Sequence, residues 1–217
     1  EFTMVEWYRV GDGMDEGMTL LGDLAEAFFD RGPAERTSYR EAFEQYVGLD
    51  PHTAPTERLV AAAREKQINA PESYSPNDRD GWLDLLLVEL IQPHLGRPRP
   101  TILYDYPAGQ SALAQVRTEG DTAVAERFEL YVDGLELANG YHELTDADEL
   151  ARRNTRNNLQ RQLDGKLPLP DQSRLLAAMR AGLPPATGVA LGFDRAVMLA
   201  VGAKTLAEVM PFPFNRA

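Results

Sequence analysis

The stretch FELYVDGLELANGYHEL, residues 128–144, decides the fold class of this chain. Apolar and polar residues alternate on both sides of Asp133-Gly134, a dipeptide that favours a two-residue turn between antiparallel strands. The pattern therefore predicts strands at 127–132 and 135–144. Carboxylates are rarely buried without partners, so the polar residues of this hairpin mark a candidate site. They are Glu129, Glu136, Asn139 and Glu143.

The hairpin geometry places two of these carboxylates on one face of the predicted sheet. With a two-residue turn, Tyr131 lies opposite Glu136, and Glu129 shares that face because it is two residues from Tyr131. Two carboxylates on one face repel unless a cation lies between them. Such a pair suits magnesium bound to a phosphate substrate. The alternative is a solvated outer face of an antiparallel sheet, which is very common.

Asn139 and Glu143 have the other parity in the second strand and would point to the opposite face. A β-bulge at 138–140, where small residues flank Asn139, would turn both side chains onto the side of Glu129. That arrangement would build a polar, acidic pocket suited to a ligand with ammonium groups. The alternative is that Asn139-Gly140 is simply a turn.

The stretch GVALGFDRAVML, residues 188–199, predicts a strand of small residues that enters a helix. Asp194 suits the cap of that helix. Arg195 follows it near the helix N-terminus, where anions bind well, and the arginine fork matches phosphate oxygens. The alternative is an ordinary strand–helix turn with an exposed arginine.

The first residues, EFTMVEWY, predict a strand over 1–9. Phe2, Glu6 and Tyr8 share one face of it. An aromatic ring and an acid on one face could stack on a base and hold an amine. The alternative is that the aromatic residues belong to the core, as they usually do on strands.

The remaining pattern predicts an α+β fold, with a mainly antiparallel β-sheet flanked by helices. We expect a helical insertion at about 14–96, between the first strand and an apolar strand at 101–106. Thr145 is the expected start of the helix at 145–163. The predicted helices are 14–31, 38–46, 56–67, 78–91, 145–163, 172–181 and 194–201.

Composition excludes several classes of site. The chain has 217 residues and a formal net charge of −12, which argues against a protein whose main task is gripping a nucleic acid backbone. It has no cysteine, so disulfides, zinc–thiolate sites and cysteine nucleophiles are excluded. No apolar run is long enough to span a bilayer. We expect a cytoplasmic protein without a membrane partner, and we expect residues upstream because the chain opens inside a strand pattern.

Taken together, these stretches resemble the second half of a class II aminoacyl-tRNA synthetase catalytic domain, over 1–217. EFTMVEWY resembles the end of motif 2, GVALGFDRAVML resembles motif 3, and the hairpin resembles the lysyl-tRNA synthetase branch. The segments ELANG, PAGQSALAQ and HELTDA are more similar to the lysyl-tRNA synthetase paralogues that modify elongation factor P. Where true lysyl synthetases have a glycine, this chain has Ala138, and we expect its methyl group to reshape the amino-acid pocket.

The resemblance implies a role for ten residues. Those expected to bind the amino-acid substrate are Glu6, Tyr8, Glu136, Asn139 and Glu143. Those expected to bind ATP are Phe2, Glu129, Leu130, Gly192 and Arg195. Glu129 and Glu136 are also the expected ligands of magnesium.

The resemblance also implies a reaction. An ATP-dependent ligase of this type activates lysine or β-lysine as an aminoacyl adenylate and transfers it to a lysine side chain of elongation factor P. ATP and magnesium are the expected cofactors, and tRNA is not an expected partner. One alternative is the catalytic half of a lysyl-tRNA synthetase, which charges tRNA. Another is a non-catalytic synthetase-like paralogue.

The sequence departs from the family pattern at its start, because motif 1 and the beginning of motif 2 are absent. We therefore expect this chain alone to be inactive, and the full-length protein to form a homodimer. The predicted helix at 145–163 also carries several arginines. A solvated face paired with nearby acids is the favoured interpretation, and a docking surface for an acidic protein or RNA is the alternative. The arginines are Arg152, Arg153, Arg156 and Arg161.

Overall fold

The structure, a computed structural model, describes residues 2–71, 74–170 and 173–213. Its strands are β1 (Met4–Val10), β2 (Glu35–Ser38), β3 (Thr101–Pro107), β4 (Val116–Glu119), β5 (Thr122–Val132), β6 (Leu135–His142) and β7 (Ala186–Gly192). Its α-helices are α1 (Met14–Phe29), α2 (Tyr39–Tyr46), α3 (Thr56–Glu65), α4 (Arg79–Leu86), α5 (Ala147–Leu163), α6 (Arg174–Ala181) and α7 (Phe193–Ala200).

The strands form one seven-stranded sheet in the order β1-β7-β6-β5-β3-β2, with β4 paired to β5. Among the described strands, only β2 and β3 pair in parallel. The predicted α+β class with a mainly antiparallel sheet and flanking helices is therefore confirmed. No helix in the described part of the chain is long and apolar enough to cross a membrane.

The two faces of the sheet carry separate apolar cores. On one face, α1 and α7 pack against an apolar cluster that includes Phe128 and Leu191. On the other face, α2, α3 and α4 cover a second cluster that includes Leu103 and Tyr106. The region expected to be a helical insertion at about 14–96 thus divides between the two faces, and it also contributes β2 to the sheet.

Several element boundaries differ from the predicted ones. The strand predicted over 1–9 begins at Met4, and residue 1 lies outside the described residues. The helix predicted at 172–181 begins at Arg174, and residue 172 also lies outside them. The predicted helix 78–91 is an α-helix only to Leu86, where it continues as a π-helix (Leu87–Ile91).

Helix α5 begins two residues later than predicted. Asp146, rather than Thr145, precedes its first turn, and the Asp146 carboxylate accepts hydrogen bonds from the backbone N–H groups of Asp148 and Glu149. A carboxylate that accepts hydrogen bonds from the unpaired N–H groups of the first helical turn is a strong N-cap. One of the four predicted surface arginines is also misplaced, because Arg153 is buried.

Candidate active site

A β-bulge at Leu137 decides which side chains of the hairpin share a face. Tyr131 pairs with Glu136 and Leu130 pairs with Ala138, so Leu137 is the extra residue between them. The predicted bulge is thus present, but it lies one residue before the segment 138–140. Because of it, residue 139 lies directly opposite residue 129, as the acidic-pocket interpretation required.

The same face continues across β7 to the edge strand β1. The cross-strand rows are Asn139–Ala190–Glu6 and Tyr141–Gly188–Tyr8. Because β7 contributes only small residues to these rows, the larger side chains of β6 and β1 stand on either side of a groove. We call this groove the acidic trough. Its lining side chains are Glu6, Tyr8, Glu136, Asn139, Tyr141 and Glu143.

Gly188 forms the floor at one end of the acidic trough. A Cβ atom added to it would lie 2.6 Å from Cε1 of Tyr8 and would also overlap Oε1 of Glu143. The two side chains therefore meet directly above this glycine. Gly188 is a site residue that was not predicted from the sequence. A glycine inside a strand of small residues does, however, indicate that another group approaches the backbone closely.

Burial and charge give the acidic trough a strong preference for a cation. Burial raises the pKa of Glu143 to about 7. Burial, Glu143 and Glu6 together raise the pKa of Tyr8. Asn139 donates a hydrogen bond from Nδ2 to the Tyr141 hydroxyl at 3.2 Å, while its buried Oδ1 has no partner in the described part of the chain. Since a buried acceptor without a donor is unfavourable, an ammonium group would satisfy this end of the trough.

Glu129 is buried and held by three donors. It is 4% exposed. Its Oε2 accepts from the hydroxyls of Tyr106 at 2.5 Å and Tyr131 at 2.6 Å, and its Oε1 accepts from Arg127 Nη2 at 2.6 Å. Arg127 also donates to the backbone oxygen of Gln110 at 2.9 Å. These partners were not predicted, since only the folded sheet brings them together.

The predicted magnesium ligands both keep oxygen lone pairs that suit a cation. The described structure holds no group of three or more acidic or histidine side chains that could bind a metal. Glu129 Oε1 keeps one lone pair beside its bond from Arg127. Burial and then the charge of Glu129 raise the pKa of Glu136, whose carboxylate makes no hydrogen bond or ion pair in the described residues. Two carboxylate oxygens together with substrate phosphates are a usual set for magnesium.

A cavity of about 480 Å³ opens at the other end of the acidic trough, beside the start of α7. The aromatic ring of Phe2 stands at this cavity and is 73% exposed. Its lining therefore combines a free aromatic face, a cationic side chain and carboxylates within one space. The residues that line it include Phe2, Glu136, Asn139, Gly192 and Arg195.

Arg195 lies in the first turn of α7, where the predicted helix N-terminus placed it. Its Nη1 donates to the backbone oxygen of Glu136 at 2.7 Å, which ties the helix to β6. The expectation that Asp194 caps this helix is wrong, because Gly192 occupies the N-cap position. Asp194 Oδ2 instead accepts from the backbone N–H of Thr3 at 2.6 Å and so fixes the segment before β1.

Two residues of the hairpin point away from the acidic trough. Leu130 is 1% exposed and Ala138 is 2% exposed, and both belong to the apolar cluster on the opposite face. Leu130 can therefore reach the trough only through its backbone. The methyl group of Ala138 packs in this cluster, and Ala138 also borders the cavity at the start of α7, so its effect on the pocket stays a prediction.

The whole chain has close counterparts among known proteins. Residues 1–216 match the family model of class II tRNA synthetases (D, K and N). The chain is 47% identical over 220 residues to the elongation factor P–(R)-beta-lysine ligase of Mannheimia succiniciproducens. It is 45% identical over 217 residues to the protein of the same name from Salmonella arizonae. Each alignment covers 100% of this chain, which spans 66% of the length of each relative.

Proposed function

Because this chain belongs to the class II tRNA synthetases of the D, K and N type, we propose that it carries the active site of an ATP-dependent ligase for elongation factor P. The amino acid it activates would be lysine or β-lysine, and the acceptor would be a lysine side chain of the factor. The names of its relatives support this assignment. The observation that carries it is the acidic trough, which runs into a cavity bordered by Arg195.

The acidic trough suits a substrate with two separated amino groups. Asn139 Oδ1 and the carboxylate of Glu6 lie at one row of the sheet, and Glu143 lies further along β6 with Tyr8. The Glu143 carboxylate reaches back over Gly188, which lies in the row of Tyr141. That row is two residues of extended strand from the row of Asn139, or about 7 Å along the strand. One ammonium would bind near each end, and the buried carboxylate of Glu143 would pair with the distal one.

The cavity at the start of α7 suits the nucleotide. The exposed ring of Phe2 offers a face on which adenine can stack. Arg195 presents a guanidinium beside a helix N-terminus, a favourable place for phosphate oxygens. Glu129 and Glu136 would hold magnesium, whose charge would offset that of the phosphates.

The chemistry needs no nucleophile from the protein. With both amino groups held, the substrate carboxylate would point toward the cavity and attack the α-phosphate of ATP, and pyrophosphate would leave. The lysine amine of elongation factor P would then attack the carbonyl carbon of the adenylate, and AMP would leave. The protein would contribute orientation and charge stabilisation, which can supply most of the barrier reduction in such transfers.

The test uses the full-length gene product with ATP, magnesium and either lysine or β-lysine. Elongation factor P and lysine tRNA are offered separately, and intact-mass analysis is read beside tRNA charging. We expect a mass gain of one lysyl group on elongation factor P and no charged tRNA. Charged tRNA with unmodified elongation factor P would identify a lysyl-tRNA synthetase. The absence of both products would identify a non-catalytic paralogue.

A pair of arginine variants sharpens this test. Arg195→Ala removes the cation from the cavity and should abolish modification. Arg99→Ala is the matched control, because its guanidinium pairs with Glu35 at 3.0 Å on the surface and lies outside the cavity. Equal loss in both variants would contradict the role proposed for Arg195.

A further inference from the structure

A short segment, residues 111–115, braces the strand end that presents Glu143. Ala114 forms an isolated antiparallel bridge with Glu143. The backbone N–H of Gln115 donates to His142 O at 2.8 Å, and that of Leu144 donates to Leu113 O at 2.8 Å. We call residues 111–115 the clamp segment. Regular pairing of β6 ends at His142, and past that point the chain is held by the clamp segment on one side and by Ala186 on the other.

Arg153 of α5 fixes the clamp segment from behind. It is 7% exposed, and its Nη1 donates to the backbone oxygens of Ala112 at 2.9 Å and Ala114 at 2.8 Å. Its Nε donates to Glu149 at 2.8 Å, which neutralises the buried charge. Arginine is seldom buried without such partners. Its neighbour Arg152 also pairs with Glu149, at 3.0 Å, but its side chain is 61% exposed.

Gln115 joins the clamp segment to the site from the other side. Its Nε2 donates to the backbone oxygen of Glu143 at 3.1 Å and lies 3.3 Å from Nε2 of His142. His142 Nδ1 in turn hydrogen-bonds the carboxylate of Glu126. This row of side chains holds the peptide that follows Glu143, while the Glu143 N–H donates to Ala186 O at 2.9 Å.

We propose that Arg153 and Gln115 are positioning residues, which fix the carboxylate of Glu143 beside Tyr8 so that it binds the distal amine of the substrate. This inference rests on the proposed function, since it takes Glu143 as the acid that binds this amine. Gln115 binds the backbone oxygen of Glu143, and Arg153 binds that of Ala114, the bridge partner of Glu143. Neither side chain lines the cavity where ATP is proposed to bind. Loss of either should therefore weaken binding of the amine and spare binding of ATP.

The experiment compares four variants of the full-length gene product in amino-acid-dependent ATP–pyrophosphate exchange. Arg153→Met and Gln115→Leu remove the two side chains, Arg153→Lys keeps a charged donor, and Arg152→Met is the exposed control on the same helix. For the first two, we expect KM for lysine and β-lysine to rise about tenfold and KM for ATP to change by less than about twofold. Arg152→Met should match the wild type, and Arg153→Lys should recover part of the loss.

The two hypotheses fail in different ways. If the wild type exchanges pyrophosphate but Arg153→Met and Gln115→Leu raise both KM values equally, or lower only kcat and the melting temperature, Arg153 and Gln115 are structural and the inference is overturned. If the wild type shows no exchange with either amine, the proposed function fails and the inference fails with it. Should Arg153→Met not fold, Gln115→Leu decides the matter, because it leaves the backbone bonds of the clamp segment in place.

Discussion

At the scale of single residues, Glu143 carries the clearest electrostatic signature. Burial raises its pKa from 4.5 to about 7. Between pH 4.5 and pH 7, the carboxyl group is therefore mostly protonated in the folded protein and mostly ionised in the unfolded chain. Linkage then requires that this group lowers stability as pH rises from about 4.5 to about 7. The ionised carboxylate costs stability in the free protein, and a bound ammonium would offset that cost.

The loss of stability with rising pH gives a first prediction, for Glu143→Gln. At pH 8 the variant should melt at a higher temperature than the wild type in the absence of ligand, because amide burial avoids desolvation of a charge. At pH 4.5, where the wild-type carboxyl is largely protonated, the two melting temperatures should agree. Thermal unfolding across this pH range checks both statements, and a variant that is less stable at pH 8 would contradict the raised pKa.

Gly188 gives a second prediction. In Gly188→Ala the added methyl group would overlap the Glu143 carboxylate and the Tyr8 ring, so lysine affinity should fall at least about tenfold. ATP affinity should stay unchanged. Calorimetric titration of each ligand measures this. Gly22→Ala on α1 is the control, since its nearest contact would be Ala34 Cβ at 3.4 Å, and an equal loss of lysine affinity there would refute the argument.

Residue parity allowed part of the site to be predicted from the sequence. Period-two alternation and the expectation of a bulge brought Glu129, Glu136, Asn139 and Glu143 to one face, and the folded register agrees. The partners of Glu129 could not be found this way. Tyr106 reaches it from β3 across a register shift, and such shifts depend on tertiary contacts that periodicity does not encode.

At the scale of elements, the N-terminus of α5 gives a third prediction. Asp146→Ala removes the carboxylate that accepts hydrogen bonds from two backbone amides and should clearly lower the free energy of unfolding, because both amides lose their acceptor. Asp148→Ala is the matched control, because Asp148 lies in the same first turn but caps no amide. It should cost only a few tenths of a kcal/mol through the helix dipole. Urea unfolding of both variants measures the difference, and equal losses would contradict the assigned cap.

The elements that the sequence did not predict share a physical reason. Strands β2 and β4 have four residues each, ERTS and VRTE, and are largely exposed. Short edge strands of this kind carry charged side chains. They therefore lack the alternation of apolar and polar residues by which a strand is predicted. The longer elements, with one apolar face, were predictable. Cap positions at α5 and α7 were not, because Thr145 and Asp146 both suit the first and Gly192 and Asp194 both suit the second, and backbone geometry decides between them.

At the scale of the whole molecule, the two faces of the sheet have different roles, since one holds an apolar core and the other carries the candidate site. The face covered by α1 and α7 buries large apolar side chains, including Leu130 and Leu191. The opposite face uses glycine and alanine of β7 to leave room for the acidic trough. The apolar core under the trough therefore fixes its strands, while the trough itself can hold charged groups close together. A net charge of −12 adds to its attraction for cations.

This separation gives the last prediction, which concerns the stability of the full-length protein with and without ligand. A ligand that binds only the folded state stabilises it, by about 2.7 kcal/mol at a concentration of one hundred times Kd. Lysine and β-lysine should therefore raise the melting temperature, whereas norleucine, which lacks the distal amine, should not. Since the pKa of Glu143 is about 7, the increase should be larger at pH 8 than at pH 5.5, and Glu143→Gln should abolish most of it. An equal increase with norleucine would mean that the acidic trough does not recognise the distal amine.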